Sequence, residues 1–166
     1  MNASWSALVL AAGLAQAGTA AAVGGIDTTL GRQVRARPDA PSVATTTHAR
    51  ASYVLHCAGC HGVNGAGLPQ SYVPGLQRLG DFLRLPGGRE FVIKVPGVMG
   101  SGLDDAQVAE VANWVFATLA KDSVPAGHAP YDKTEVTRAR AVPLVDVASE
   151  RKRLQEQARQ QGLVIH

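Results

Sequence analysis

Cysteine, methionine and aromatic rings are all scarce in this chain: two Cys, two Met, and Phe, Trp and Tyr at 5% of 166 residues. Two cysteines exclude the disulfide frameworks that staple small secreted domains. A structural zinc site takes four Cys or His ligands, and there is no third cysteine and no second paired cluster to complete one. Charge is also sparse, at 17% Asp, Glu, Lys and Arg with a formal excess of +3. No Lys/Arg stripe with interleaved aromatics marks a nucleic-acid surface; the small excess suits docking to a partner with an acidic patch. No apolar run reaches the ~20 residues of a comfortable membrane-spanning helix. With 18 Gly, 9 Pro and few large side chains, one loop-rich domain plus extensions has difficulty burying enough apolar surface unaided.

The two cysteines stand together, in Cys57-Ala58-Gly59-Cys60-His61. C-x-x-C-H is the attachment pattern for c-type haem. Two thiols at that spacing form thioethers to the two haem vinyl groups, and the histidine that follows reaches the iron. A thioredoxin-like redox pair needs a βαβ context that is absent here, and a disulfide across a tight turn leaves His61 without a reason. One covalently bound haem c is therefore the expected cofactor, and it would supply the missing core.

Residues 1–25 carry no charged side chain, and small residues close the apolar run (Ala15-Gln16-Ala17, Ala20-Ala21-Ala22). This resembles a secretory signal with cleavage after Ala17 or Ala22, although no Lys or Arg precedes the run. The alternative, a membrane anchor, is opposed by its shortness and by Gly13, Gly18 and Thr19. Residues 23–47 read as an extended leader without apolar periodicity. From His48 a short helix is expected to run into Cys57, followed by an irregular loop at Gly62, Gly65, Gly67 and Pro69. Short helices are expected at 80–85 and 89–95. The clearest helix starts at Asp104, whose pairing with Gln107 forms a capping box; Val108, Val111, Ala112, Val115 and Leu119 share one face to about residue 121. A Pro/Gly linker at 123–130 precedes a short helix from Asp132 or Thr134 to about Arg140, stopped by Pro143. Residues 146–161 read as a longer helix with a thin apolar face of Val147, Leu154 and Ala158. Such a helix is either a solvated strut or laid along something else.

A six-coordinate haem needs a second axial ligand. Met99, the only methionine after Met1, lies in Val95-Pro96-Gly97-Val98-Met99-Gly100 just before the capped helix. A His61/Met99 pair raises the reduction potential relative to two histidines. Met99 is otherwise an apolar gap-filler. His48, His56 and His128 are rival ligands, and an open sixth position would admit small molecules. An iron-bound imidazole usually donates its other N–H to a carbonyl or carboxylate. The turn Val73-Pro74-Gly75-Leu76 could bring the Pro74 carbonyl beneath the ring, unless Pro74 is only turn chemistry.

Residues 49–121 resemble the class I c-type cytochromes, small monohaem electron carriers. The matching pieces are Tyr53, the motif with Gly62, Gly65 and Gly67 after it, Pro74-Gly75-Leu76, Met99, and Ala112-Asn113-Trp114-Val115. The resemblance implies an all-α cytochrome c fold in which the first and last helices cross with Tyr53 against Trp114. It also implies that Cys57 and Cys60 hold the haem, that His61 and Met99 ligate iron, and that Pro74 supports His61. Gly100 stands where many relatives have proline, and the residues after Asp122 have no counterpart in a minimal carrier. The organisation expected is a signal peptide at 1–22, a leader at 23–47, a cytochrome c domain at 48–121 and a helical extension at 122–166.

Because bacterial haem c is attached outside the inner membrane, the resemblance implies a periplasmic protein. Its expected role is that of a single-electron carrier, or the cytochrome subunit of a dehydrogenase, passing electrons to a cytochrome or oxidase; the looser similarity is to the cytochrome partners of quinoprotein and flavoprotein dehydrogenases. Arg78, Arg84, Arg89 and Lys94, against Asp81 and Glu90, form a modestly basic stretch for steering such partners, or an ordinary solvated exterior. The competing reading is a haem enzyme with an open or displaceable sixth ligand acting on peroxide or a sulfur compound, although no distal acid/base group is visible. The tail is either a docking element or a surface helix with local charge pairs.

Overall fold

The computed structural model describes residues 43–165. Seven α-helices follow one another: α1 (Val43–His56), α2 (Ala58–His61), α3 (Gly88–Lys94), α4 (Pro96–Met99), α5 (Asp105–Thr118), α6 (Lys133–Arg140) and α7 (Val147–Gln160), with 3₁₀ segments at Pro69–Ser71 and Leu79–Arg84. No strand forms among the described residues; a lone antiparallel bridge joins Leu68 to Val73. The fold is all-α, as expected. The expected signal peptide and the leader up to residue 42 lie outside the described residues.

α1 begins at Val43, inside the stretch expected to be extended leader. Ala49 and Tyr53, one turn apart, are both buried, and a helix nucleated by that packing extends toward its N-terminus at little further cost. α1 packs on α5, where the Tyr53 and Trp114 ring centroids are 5.1 Å apart. α5 starts with the expected capping box: Asp104 Oδ1 accepts from the Gln107 amide at 2.9 Å, and Gln107 Oε1 accepts from the Asp104 amide at 3.0 Å. Its buried face also includes Ala109 and Phe116, a wider arc than the sequence pattern suggested, because α6 packs on α5 too.

Of the two forms expected for the tail, the structure shows the one laid along something else. Tyr131, Val136, Ala139, Leu154, Ala158 and Ile165 join the same hydrophobic core as Phe82, Phe91 and Ile93. The thin stripe of α7 is laid on α3, with Leu154 and Ala158 fully buried; burying one such leucine is worth about 2 kcal/mol. Nor is residue 123 part of a loose linker. Ser123 is buried, its Oγ accepts from the Gly80 amide at 2.9 Å, and a Cβ on Gly80 would lie 2.5 Å from the Ser123 carbonyl carbon. The Pro/Gly stretch before Met99 likewise forms a helical turn, started by Pro96 at N1, where its fixed φ suits the helix.

Candidate functional site

α1 delivers Cys57, whose amide bonds to the Tyr53 carbonyl at 2.8 Å, and the single turn α2 carries Cys60 and His61. The two thiols are not joined to each other; Cys57 is half-buried and Cys60 exposed. Burial, and next the neighbouring Cys60, push the Cys57 thiol above its ordinary range. Gly62, at φ +74, ends the turn, and the Tyr53 hydroxyl donates to its carbonyl at 2.6 Å.

The chain then doubles back. The Gly67 amide bonds to the His61 carbonyl at 2.9 Å, and the Leu76 amide to Gly65 at 2.7 Å. At Gly67, with φ +76, a Cβ would meet the Val73 oxygen at 2.5 Å and the Pro74 carbonyl carbon at 2.6 Å, so only glycine allows the two segments to lie this close. The result is a 3.0 Å hydrogen bond between His61 Nδ1 and the Pro74 carbonyl. A carbonyl only accepts, so Nδ1 carries the proton and the Nε2 lone pair is left for a metal.

Met99 closes α4, half-buried. The segment after it is tied to the motif by His56, whose Nδ1 donates to the Ser101 carbonyl at 2.9 Å. His48 pairs with Glu110 at 3.0 Å on the outer surface. His128 sits in the tail interface, 5.4 Å from the Phe116 ring and 3.1 Å from Arg89 Nη1. Burial, then the Arg89 charge, hold its pKa below the ordinary value.

The residues around the motif fit a haem. Val54, Leu55, Val63, Leu68 and Tyr72 flank it and are exposed, Leu55 at 79% and Tyr72 at 97%, an unusual concentration of solvated apolar side chains that a porphyrin held by two thioethers would cover. Among the described residues no group of three or more His, Cys, Asp or Glu could hold a bare metal ion.

The cations expected to form a basic steering stretch are largely engaged. Arg78 and Arg84 flank the buried Asp81 at 2.6 and 3.5 Å, Lys94 pairs with Glu90, and Arg89 grips Glu135 through two nitrogens at 2.5 and 2.7 Å. Sequence reasoning missed three residues: His56 as a tie, and Arg89 and Arg140 as tail anchors. Their partners lie more than 30 residues away, where no periodicity reaches. No helix among the described residues is long and apolar enough to cross a membrane.

No family model matches the chain. It is similar to cytochrome c-552 of Thermus thermophilus, 32% identical over 124 residues that cover 63% of this chain and 95% of that protein. A second cytochrome c-552, recorded for a specified strain of the same species, is 32% identical over 124 residues, covering 63% of this chain and 84% of its own length. Both matches take in more of the chain than residues 49–121. The chain belongs to the class I monohaem c-type cytochromes, electron-transfer proteins that hold haem c covalently.

Proposed function

We propose that the protein is an exported, periplasmic single-electron carrier, accepting electrons from a dehydrogenase, as its partner or its cytochrome subunit, and delivering them to a cytochrome or oxidase. The observation that carries this reading is the 3.0 Å hydrogen bond from His61 Nδ1 to the Pro74 carbonyl. It fixes the tautomer and ring orientation that an axial ligand needs, directly beside two unjoined thiols. Cys57 and Cys60 would hold the haem through thioethers, and His61, through Nε2, and Met99, through its thioether sulfur, would ligate the iron. Haem c, when bound, supplies a ferric/ferrous couple that a histidine and a methionine poise at higher potential than two histidines. Met99 is favoured over the histidines because His48 and His128 are engaged with Glu110 and Arg89, while His56 ties down the segment that follows Met99. Residues 48–121 form the haem domain, 122–166 pack on it as an extension, and 1–22 are removed on export.

A redox titration of the purified protein tests this. The expected result is a reversible one-electron transition, rapid electron exchange with a soluble cytochrome, and no consumption of peroxide. Steady turnover of hydrogen peroxide or of a sulfur compound would overturn the carrier role in favour of an enzyme with a displaceable sixth ligand.

A further inference from the structure

We propose that Arg140, at the end of α6, is the positioning residue of the sixth-ligand loop, so that the C-terminal extension sets how firmly Met99 stays on the iron. The inference rests on Met99 being that ligand. The Arg140 guanidinium is largely shielded, with 20% of the side chain exposed, and is shared among three acceptors, two at the ends of the loop and one on the first residue of α5. Nη2 donates to the carbonyl of Met99 itself at 3.2 Å, and Nη1 donates to the Leu103 carbonyl at 3.0 Å and to Asp105 Oδ1 at 2.8 Å. A planar fork with five donors can span both ends of a short loop in this way; a lysine, with one point charge, cannot.

The loop that Arg140 spans is rich in glycine. Between Met99 and Leu103 stand Gly100, Ser101 and Gly102, and Gly102 has φ +75 with no atom within 4 Å of where a Cβ would be. Two glycines in three residues widen the choices open to this backbone, and its own ties are local, from Ser101 Oγ to the Val98 carbonyl at 2.9 Å and from the Leu103 amide to Ser101 Oγ at 3.3 Å. On the α1 side it is held by His56 at Ser101; on the tail side it is held by Arg140. Arg140 is in turn fixed because α6 is docked. Val136 and Ala139 are buried, the Thr137 hydroxyl donates to Asp105 Oδ2 at 2.6 Å, and the Asp132 side chain caps the helix by accepting from the Glu135 amide at 2.8 Å.

The test is displacement of Met99 by added imidazole in the ferric protein, followed through the near-infrared band of methionine ligation. Charge-assisted hydrogen bonds are the strong ones, so Arg140→Ala is expected to lower the half-displacing imidazole concentration about tenfold, near 1.4 kcal/mol. Arg140→Lys should fall between, and serves also if the alanine variant folds poorly. Arg159→Ala, which removes an arginine paired with Glu156 on the tail surface, should match the wild type. Amide exchange at residues 100–103 should quicken in Arg140→Ala alone. An unchanged imidazole midpoint in Arg140→Ala, or an equal drop in Arg159→Ala, would overturn the brace while leaving Met99 as the ligand. Absence of the band from the wild type would remove the ligand assignment and the brace with it.

Discussion

The stretch from 54 to 76 and the tail-bearing side from 80 to 165 bury their surfaces with opposite resources. Around the motif the chain uses glycine turns, backbone hydrogen bonds and a proline carbonyl, and it leaves Leu55, Val63 and Tyr72 in solvent. On the tail side, Phe82 stacks on Phe91 at 5.5 Å and Phe116 on Tyr131 at 5.8 Å. There Arg89 lies 3.9 Å over the Tyr131 ring, the Tyr131 hydroxyl donates to the Arg89 carbonyl at 2.8 Å, and Asn113 clips the Tyr131 backbone through two hydrogen bonds. The first side has a haem to complete it; the second is packed mainly by its own rings and hydrogen bonds, although both share one core. The few aromatic residues are thus spent mainly in packing the tail against the helices beneath it.

Replacing both cysteines, Cys57→Ala with Cys60→Ala, should break the contrast most severely. Haem should no longer travel with the chain on a denaturing gel, and amide exchange should quicken across residues 57–76 while residues 133–158 keep their protection. Equal loss of protection in both segments would refute the claim that the tail packing rests mainly on its own rings and hydrogen bonds.

Arg89→Ala attacks the other side. It removes the fork on Glu135, the cation over Tyr131, and hydrogen bonds to the Ala129 and Pro130 carbonyls at 2.8 and 3.2 Å. A loss of about 3 kcal/mol in urea unfolding is expected, with the spectrum of the folded protein unchanged. Gly67→Ala should cost about 2 kcal/mol through strain at positive φ and the 2.5 Å approach to the Val73 oxygen. Unlike Arg89→Ala, it should perturb the His61 environment, which the haem spectrum or the potential would report.

A smaller effect concerns His128, packed against Phe116, Tyr131 and Arg89 with Glu135 nearby. Its folded pKa lies below the ordinary 6.5, so the unfolded chain takes up the proton first as pH falls. The stability it contributes is therefore complete above about 6.5 and is lost as pH drops through the folded value. Comparing urea midpoints at pH 7.5 and 5.5 in the wild type and in His128→Gln should show a larger acid loss in the wild type; equal losses would deny His128 that role.

How much was legible in the sequence follows from how local each feature is. The motif, the Asp104–Gln107 box and a helix start at Asp132 or Thr134 are set within a few residues, and they could be read directly; the structure settles the second start on an Asp132 cap and adds one at Asp146. The Pro74 carbonyl beneath His61, 13 residues on, was legible as a possibility from the turn and from the acceptor an iron-bound imidazole needs, whereas the Tyr53–Trp114 contact, across 61 residues, was legible only through family resemblance. The docking of the tail was not legible. α7 offers only Leu154 and Ala158 as fully buried residues, and nothing in that pattern says that α3 lies beneath them. Nor does the spacing of Arg89 and Arg140 announce that each spends its charge on backbone carbonyls as well as on a carboxylate. Cutting the chain after residue 121 is expected to unfold the tail side, because Tyr131, Val136 and Leu154 belong to its core.

The most direct test of the site is the ferric near-infrared spectrum of the wild type beside that of Met99→Ala. A methionine-to-iron band present in the wild type and absent from the variant is the predicted result. A high-spin wild-type spectrum, or a band that survives the substitution, would contradict the His61/Met99 pair on which the account of electron transfer rests.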